Sequence, residues 1–208
     1  DRLFATRVIR RGSHVLELPR GPEIAPRYRI GDREFGLEDY LNRTQVAGLI
    51  VLQGGRIVLE RYALGLEEGT RWSTMSTVKS MTSTLIGVAL HEGEIRSLED
   101  PVSAYLPALR GSVYDEVAVR HLLTMSSGVA WNESYTDRDS DVNRYSRSLG
   151  EKVPSGVLAL MRGLSRAAPT GTRFNYNTGD TYVLGCLVSA ATGMTLAEYM
   201  SRSIWARL

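Results

Sequence analysis

The segment Ser76-Thr77-Val78-Lys79 contains the residue types of an activated serine nucleophile. Positions three apart share one face of a helix, so the Ser76 hydroxyl and the Lys79 amine can meet if a helix begins here. A lysine in apolar surroundings can lose its proton and act as the base that such a serine needs. Free backbone N–H groups at a helix start also favour an oxyanion. A capping serine followed by a surface lysine is the alternative, and the motif alone leaves both interpretations open.

Lysine is rare in this chain, which makes Lys79 unusual. Lys79 and Lys152 are the only lysines among 25 basic residues, and the others are arginines. Arginine stays protonated in proteins, whereas burial can make lysine neutral. A lysine at position 79 therefore fits a place where deprotonation is needed, while Lys152 is interpreted as an ordinary surface cation.

A second candidate for proton transfer is Tyr176, at the end of the extended segment Phe174-Asn175-Tyr176. A phenol beside a cationic lysine can titrate low enough to shuttle protons. The alternative is a half-buried tyrosine whose hydroxyl is satisfied by a packing partner, and without further context that alternative is favoured.

The elements that must position these residues follow from the spacing of apolar side chains. Ala47–Leu52 and Arg56–Tyr62 flank Gly54-Gly55, which predicts a β-hairpin with a tight turn. Capping boxes at Ser97 and Thr195 each predict the start of a helix. In all, the sequence predicts helices over 36–44, 76–91, 98–106, 117–125, 155–163, 181–192 and from 196 to the end, with a long polar loop over 129–150.

The order of these elements predicts an α+β fold, with an antiparallel sheet followed by a mostly helical region. We expect an extended arm with little regular structure over residues 1–36. Residues 37–72 should be the N-terminal part of the sheet domain and contain the hairpin at 47–62. Residues 73–208 should form the helical domain that carries Ser76.

Composition excludes several classes of function. The formal net charge is +2, so no basic patch predicts nucleic-acid binding. The apolar runs are shorter than the roughly 20 residues of a membrane span. The lone Cys186 and the absence of a Cys/His cluster in the sequence indicate neither a disulfide framework nor a metal site, and no cofactor is expected. Cytoplasmic and periplasmic locations in a bacterium both remain open, and the cytoplasm is slightly favoured.

Three blocks of sequence resemble the serine β-lactamase-like hydrolases and occur in that family's order: residues 76–83, 121–128 and 176–185. The family contains class C β-lactamases, D-alanyl-D-alanine peptidases, esterases and 6-aminohexanoate-dimer hydrolases, and the resemblance covers residues 47–208. It implies that Ser76 is the acylated nucleophile, Lys79 its partner base and Tyr176 the second proton shuttle. The backbone N–H of Ser76 would be half of the oxyanion hole.

One departure from the family pattern points to a branch of it. β-Lactamases and peptidases of this group usually carry Tyr-x-Asn at the second motif, whereas Thr178 stands two residues after Tyr176 here. This motif and the loop from Trp131 to Tyr135 look more like the 6-aminohexanoate-dimer hydrolase and esterase branch. Expected substrate-binding residues are Trp131, Tyr135, Asn175 and Thr178. Trp131 and Tyr135 would cover an apolar chain, and the acidic residues of the loop would attract a substrate amine.

The resemblance thus implies a serine hydrolase for small amides or esters that works through an acyl-enzyme. A D-alanyl-D-alanine carboxypeptidase or a β-lactamase is one alternative, and a non-catalytic penicillin-binding-like sensor is another. The family's third motif, a Lys- or His-led tripeptide ending in Gly, is expected more than a hundred residues after Tyr176. Since the sequence ends at Leu208, we expect the C-terminal strands of the sheet to be missing from this chain. The corresponding segment of its own protein is then an expected partner.

Overall fold

Residues 15–74 form a unit built around two antiparallel hairpins. The structure is a computed structural model that describes residues 6–153 and 155–208. In the first hairpin β1 (Tyr28–Ile30) pairs with β2 (Arg33–Phe35). The helix α1 (Leu37–Thr44) follows, and β3 (Gly48–Gln53) then pairs with β4 (Arg56–Tyr62).

The hairpin predicted around Gly54-Gly55 is confirmed. Both glycines have left-handed backbone angles, with φ of 57° and 72°. This is the geometry of a primed two-residue turn, and glycine adopts it without the steric cost that a Cβ atom brings. The two apolar runs beside this turn located both strands to within one residue, and the register shifts once, between Val51 and Leu52.

The prediction of an arm without regular structure over residues 1–36 was wrong for its second half. β1 and β2 lie there, with the Tyr28 and Phe35 rings stacked at 5.4 Å between centroids. The segment before them also lies along β4, since the Ile57 N–H donates to the Pro19 carbonyl at 2.9 Å. Strands of three residues are too short to show an alternating pattern in sequence. Residues 1–5 of that arm lie outside the described residues.

The helical unit comprises residues 75–208 together with the described part of the first 14 residues. Its long helices α2 (Thr77–His91) and α6 (Thr178–Thr192) pack against each other. The remaining helices are α3 (Val119–Leu123), α4 (Asp141–Gly150), α5 (Gly156–Arg162) and α7 (Leu196–Ser203). Both faces of α6 are largely apolar and buried, which is typical of a central core helix.

Two predictions in this unit need correction. The helix expected over 98–106 is replaced by two 3₁₀ turns, Val102–Ala104 and Pro107–Leu109. The Ser97 hydroxyl accepts the Glu99 N–H at 3.0 Å and so forms a tight turn. The backbone is extended at Pro101, which forms an antiparallel bridge with Ala118, so no α-helix continues from this turn.

The loop expected over 129–150 contains the helix α4. The Ser140 hydroxyl caps it by accepting the Asn143 N–H at 3.3 Å. Val142, Tyr145 and Leu149 of α4 recur at helical spacing, but only Val142 is buried and the rest of the helix is mostly polar, so this narrow apolar stripe was overlooked.

Among the described residues no single helix is long and apolar enough to cross a bilayer. The pair Thr178–Thr192 and Leu196–Arg207 passes that test together by length and composition, and the two are bent by 71° at the break between them.

Candidate active site

Ser76 is the N-cap residue of α2. Leu85, Ile86 and Ala89, in the C-terminal half of this helix, are all buried and anchor it in the core. The preceding residue, Met75, has a φ of 43°, a left-handed conformation that is uncommon for a residue with a side chain. Such a conformation costs on the order of 1–3 kcal/mol and is often found at functional sites. The chain therefore makes a constrained turn just before the candidate nucleophile.

The structure brings Ser76, Lys79 and Tyr176 together. The Lys79 Nζ atom donates to Ser76 Oγ at 3.2 Å, and the Tyr176 hydroxyl donates to the same oxygen at 2.9 Å. Lys79 Nζ also lies 5.1 Å from the centroid of the Tyr176 ring. Two groups that can carry a proton thus converge on one hydroxyl oxygen, so Ser76 can lose its proton when either of them is deprotonated.

The environment of Tyr176 favours its phenolate. The hydrogen bond with Ser76 contributes most to lowering the pKa of Tyr176, and a hydrogen bond and the positive charge of Lys79 add to it. Partial burial and the negative charge of Glu133 oppose the shift. The net effect is a phenol whose pKa lies below its ordinary value, in the direction that general base catalysis requires.

Hydrogen bonds hold the backbone on both sides of Tyr176. On one side, the Asn175 N–H donates to the Met125 carbonyl at 2.8 Å, and the Asn175 side-chain amide donates to the Trp131 carbonyl at 3.3 Å. On the other side, the Asn177 side chain caps α6 by accepting the Asp180 N–H at 2.9 Å. Tyr176 is therefore fixed between an anchored turn and the start of a core helix.

Glu133 joins the 131–135 loop to α6, and sequence analysis did not single it out. One carboxylate oxygen accepts the Tyr135 hydroxyl at 2.8 Å and the Thr178 hydroxyl. The other oxygen accepts the Thr178 N–H at 3.0 Å and the indole N–H of Trp131. Burial favours the neutral acid, but these hydrogen bonds outweigh it and hold the pKa of Glu133 below its usual value.

The four expected substrate-binding residues lie around the start of α6 but differ in exposure. The side chain of Tyr135 is 67% exposed, whereas Trp131 is only 8% exposed and its indole N–H is bound to Glu133. Trp131 therefore supports the loop from beneath and does not line its surface, contrary to its expected place over the substrate. Asn175 is exposed and Thr178 is half-buried, each with a side-chain hydrogen bond to this loop.

The acidic side chains of the same loop organise its backbone. Asp137 accepts hydrogen bonds from the Asn132 amide at 3.1 Å and the Asp139 N–H at 3.0 Å. Asp141 accepts the Asn132 N–H at 2.9 Å. These carboxylates already bind the loop to itself and to the start of α4, so the folding of this segment explains them without a substrate amine.

A cavity of about 870 Å³ lies next to the site, entirely within the helical unit. Lys79 and Thr178 lie in its wall, and most of the remaining wall is apolar. Its apolar lining includes Val78, Tyr182, Met194 and Leu196. A volume of this size can accept a small linear molecule with one end at Lys79.

A comparison with protein families supports the relationship that the three blocks indicate. The family described as Beta-lactamase matches residues 37–208, which is most of the chain. The chain belongs to the β-lactamase family. This places Ser76, Lys79 and Tyr176 inside the part of the chain that the family covers.

Relatives of this β-lactamase-family chain include hydrolases of the expected branch. The 6-aminohexanoate-dimer hydrolase of Paenarthrobacter ureafaciens is 33% identical over 177 residues, which cover 83% of this chain and 45% of the relative. A Bacillus anthracis structure provisionally named as a 6-aminohexanoate-dimer hydrolase has a TM-score of 0.73 at 22% identity, covering 96% of this chain and 53% of that one. The chain thus spans about half the length of these relatives.

A class C β-lactamase has the same fold. The enzyme of Rhodobacter sphaeroides matches with a TM-score of 0.55 at 22% identity, covering 81% of this chain and 46% of that one. The β-lactamase/transpeptidase-like fold predicted from sequence is therefore confirmed for this part of the domain.

Proposed function

We propose that this chain carries the nucleophile of a serine hydrolase that cleaves small amides or esters through an acyl-enzyme on Ser76. The observation that supports it is the convergence of the Lys79 amine and the Tyr176 hydroxyl on Ser76 Oγ, at 3.2 Å and 2.9 Å. Because the chain spans about half the length of its relatives, the activity is proposed for the protein in the form that its gene encodes.

The first half of the reaction is acylation. Ser76 transfers its hydroxyl proton to Tyr176 or Lys79, whichever is deprotonated, while Oγ bonds to the carbonyl carbon of the substrate. The carbonyl π electrons move to oxygen, and the oxyanion forms near the backbone N–H of Ser76. That N–H has no protein acceptor among the hydrogen bonds of the described residues. The C–N or C–O bond then breaks, and the leaving amine or alcohol takes the transferred proton.

The second half is hydrolysis of the acyl-enzyme. A water molecule attacks the ester carbon and gives one proton to the same Tyr176–Lys79 pair, and the tetrahedral intermediate forms again. Collapse of this intermediate breaks the bond to Ser76 Oγ, which recovers a proton from the pair as the acid leaves. The pair ends as it began, so the cycle needs no other reactant than water.

The proposed substrate is a small linear amide or ester of the 6-aminohexanoate-oligomer type. The curated relative at 33% identity is named as a 6-aminohexanoate-dimer hydrolase. The exposed Tyr135 ring and the apolar cavity beside Lys79 offer contacts for a methylene chain. Asn175 and Thr178 are proposed to contact the substrate near Tyr176. Their side chains also form hydrogen bonds to the 131–135 loop. Trp131 contributes by supporting the Tyr135 loop.

Two other functions remain as outcomes of the test. The family and the class C structural neighbour favour a β-lactamase or a D-alanyl-D-alanine carboxypeptidase as the second candidate. A sensor that binds a peptide or carboxylate in the same cleft without turnover is the third.

A substrate panel on the natural protein separates these functions. We expect hydrolysis of 6-aminohexanoate dimer and of short p-nitrophenyl esters, with nitrocefin turned over far more slowly. Fast nitrocefin or D-alanyl-D-alanine cleavage would instead establish the second candidate. Binding without any turnover would establish the sensor. Ser76→Ala is the control, since residual hydrolysis above about a tenth of the parent rate would exclude Ser76 as the nucleophile.

A further inference from the structure

Asp180 is a fully buried carboxyl group in the first turn of α6, four residues after Tyr176. One of its oxygens accepts the Tyr114 hydroxyl at 2.9 Å, and Tyr114 is also fully buried. The other oxygen has no partner among the described residues. Burying a carboxyl group with so few partners costs several kcal/mol, so a simple packing role explains its presence poorly.

Helix capping does not explain Asp180 either. An acidic residue at this position often bonds back to the backbone of the N-cap residue, as Glu198 does to Thr195 in α7. The cap of α6 is provided by Asn177, which accepts the Asp180 N–H. The Asp180 carboxyl instead points into the core to Tyr114, which is 66 positions earlier in the sequence.

This tertiary bond acts on the turn that follows Tyr176. Asn177, the next residue after Tyr176, is itself 1% exposed and is tied to Asp180. A shift of Asp180 would thus move the Asn177 cap and, with it, the backbone of Tyr176. The hydroxyl of Tyr176 would then leave its 2.9 Å contact with Ser76.

We propose that Asp180 and Tyr114 are a positioning pair that holds the start of α6, and with it Tyr176, at the Ser76 hydroxyl. Neither residue touches the substrate. The inference rests on the proposed role of Tyr176, and it predicts that loss of the Tyr114–Asp180 bond affects turnover and the Tyr176 phenol together. Small displacements of this kind in a catalytic group are costly for rate.

Tyr114→Phe tests the pair, with Tyr199→Phe as a matched control. Tyr199 is also fully buried, and its hydroxyl donates to the Glu92 carboxylate at 3.1 Å, but it lies on α7. Both variants lose one tyrosine–carboxylate bond, which is buried for Tyr114 and partly buried for Tyr199. We expect Tyr114→Phe to lower kcat about tenfold or more with KM little changed. Tyr199→Phe should keep kcat within about twofold of the parent value.

A second measurement does not depend on turnover. Ultraviolet difference titration against Tyr176→Phe isolates the phenol of Tyr176, whose pKa is lowered by its contacts with Ser76 and Lys79. In Tyr114→Phe this pKa should rise towards the ordinary value of 10.0, whereas in Tyr199→Phe it should not move. If the parent hydrolyses no substrate but the titration shifts as expected, the proposed function fails and the positioning pair stands.

Asp180→Asn keeps the test decisive if Tyr114→Phe does not fold. Asparagine retains a carbonyl oxygen that can accept the Tyr114 hydroxyl, so this variant should resemble the parent in both measurements. Asp180→Ala, which loses that acceptor, should behave as expected for Tyr114→Phe. The proposal is overturned if folded Tyr114→Phe or Asp180→Ala matches Tyr199→Phe in kcat and in the Tyr176 titration.

Discussion

The ring of Trp131 lies so close to the backbone of Gly179 that a Cβ atom on this glycine would stand 2.8 Å from Cζ3 of the indole. The same Cβ would meet the Met161 side chain at 2.3 Å. Gly179 is in the first turn of α6, three residues after Tyr176. The first turn of α6 therefore reaches its place beside Trp131 only because position 179 has no side chain.

Gly179→Ala should destabilise the protein by about 1–3 kcal/mol, because the added methyl group overpacks this contact. It should also lower the rate of hydrolysis by displacing Tyr176. Gly87→Ala is the matched control, since Gly87 is an exposed glycine of α2 with nothing within 4 Å of its added Cβ. That control should gain about 0.5–1 kcal/mol from helix propensity. Equal effects of the two substitutions on thermal stability would contradict the close packing at Gly179.

Glu133→Gln should loosen the loop that carries Tyr135. An amide group has one oxygen, so two of the four hydrogen bonds that Glu133 accepts lose their acceptor. We expect a lower melting temperature at neutral pH and faster proteolysis within the 131–139 loop.

The pH dependence of this effect has a defined sign. The folded-state pKa of Glu133 lies below the ordinary value of 4.5 for a glutamate. The stability that its carboxylate contributes is therefore complete above about pH 4.5 and is lost as the pH falls through the folded-state pKa. The stability difference between parent and Glu133→Gln should shrink in that acid range. A difference that grew on acidification would contradict the assignment of these bonds to the ionised carboxylate.

Asp180 should give the free energy of unfolding the opposite pH dependence. Burial is the main cause that raises the pKa of Asp180 from 3.8 to about 7, although the nearby Ser127 hydroxyl and the hydrogen bond from Tyr114 oppose the shift. The unfolded chain releases this proton near pH 3.8, whereas the folded chain keeps it up to about pH 7. Stability from this group is thus complete below the unfolded value and is lost as the pH rises to about 7, by roughly 4 kcal/mol at 1.36 kcal/mol per unit.

Asp180→Asn removes that titration, and the decline in stability between about pH 4 and pH 7 should flatten in denaturant melts. Asp115→Asn is a useful control, because the folded-state pKa of Asp115 is lowered by hydrogen bonds from Ser103 and Gly111. That control should retain the decline. A parent-like slope in Asp180→Asn would show that Asp180 is ionised in the folded protein at acidic pH.

Lys79→Arg should be almost as inactive as Lys79→Ala although it keeps the positive charge. Arginine cannot serve as a base, and its planar head does not match the position of an ammonium group. Tyr176→Phe should lose about 10²-fold or more in kcat if the phenol carries the proton. Turnover near the parent rate in Lys79→Arg would limit Lys79 to an electrostatic role. A kcat of Tyr176→Phe equal to that of the parent would show that Tyr176 has only a packing role.

Features that depend on neighbouring residues could be predicted from the sequence. Ser76 and Lys79 share one turn of α2, and the hairpin rests on two adjacent glycines, so neither depends on distant residues. Tyr176 could be assigned to the site only because it begins the third of three blocks that resemble the family. Its contact with Ser76 spans 100 positions, so no local pattern predicts it.

The features that sequence analysis missed depend on tertiary contacts. Glu133 is bound to Thr178, 45 positions away, and Asp180 is bound to Tyr114, 66 positions away. Nothing in the spacing of these side chains predicts that they meet. The helix α4 was missed for a different reason, because its capped but mostly polar sequence buries only Val142.

Covalent labelling would show whether Ser76 is the nucleophile. The natural protein would be treated with a fluorophosphonate, and its intact mass would be measured before and after proteolytic mapping. We expect one adduct per chain on Ser76, no adduct in Ser76→Ala, and much slower labelling in Lys79→Ala and Tyr176→Phe. An unmodified Ser76 in the folded protein, or equal labelling of Ser76→Ala, would contradict it.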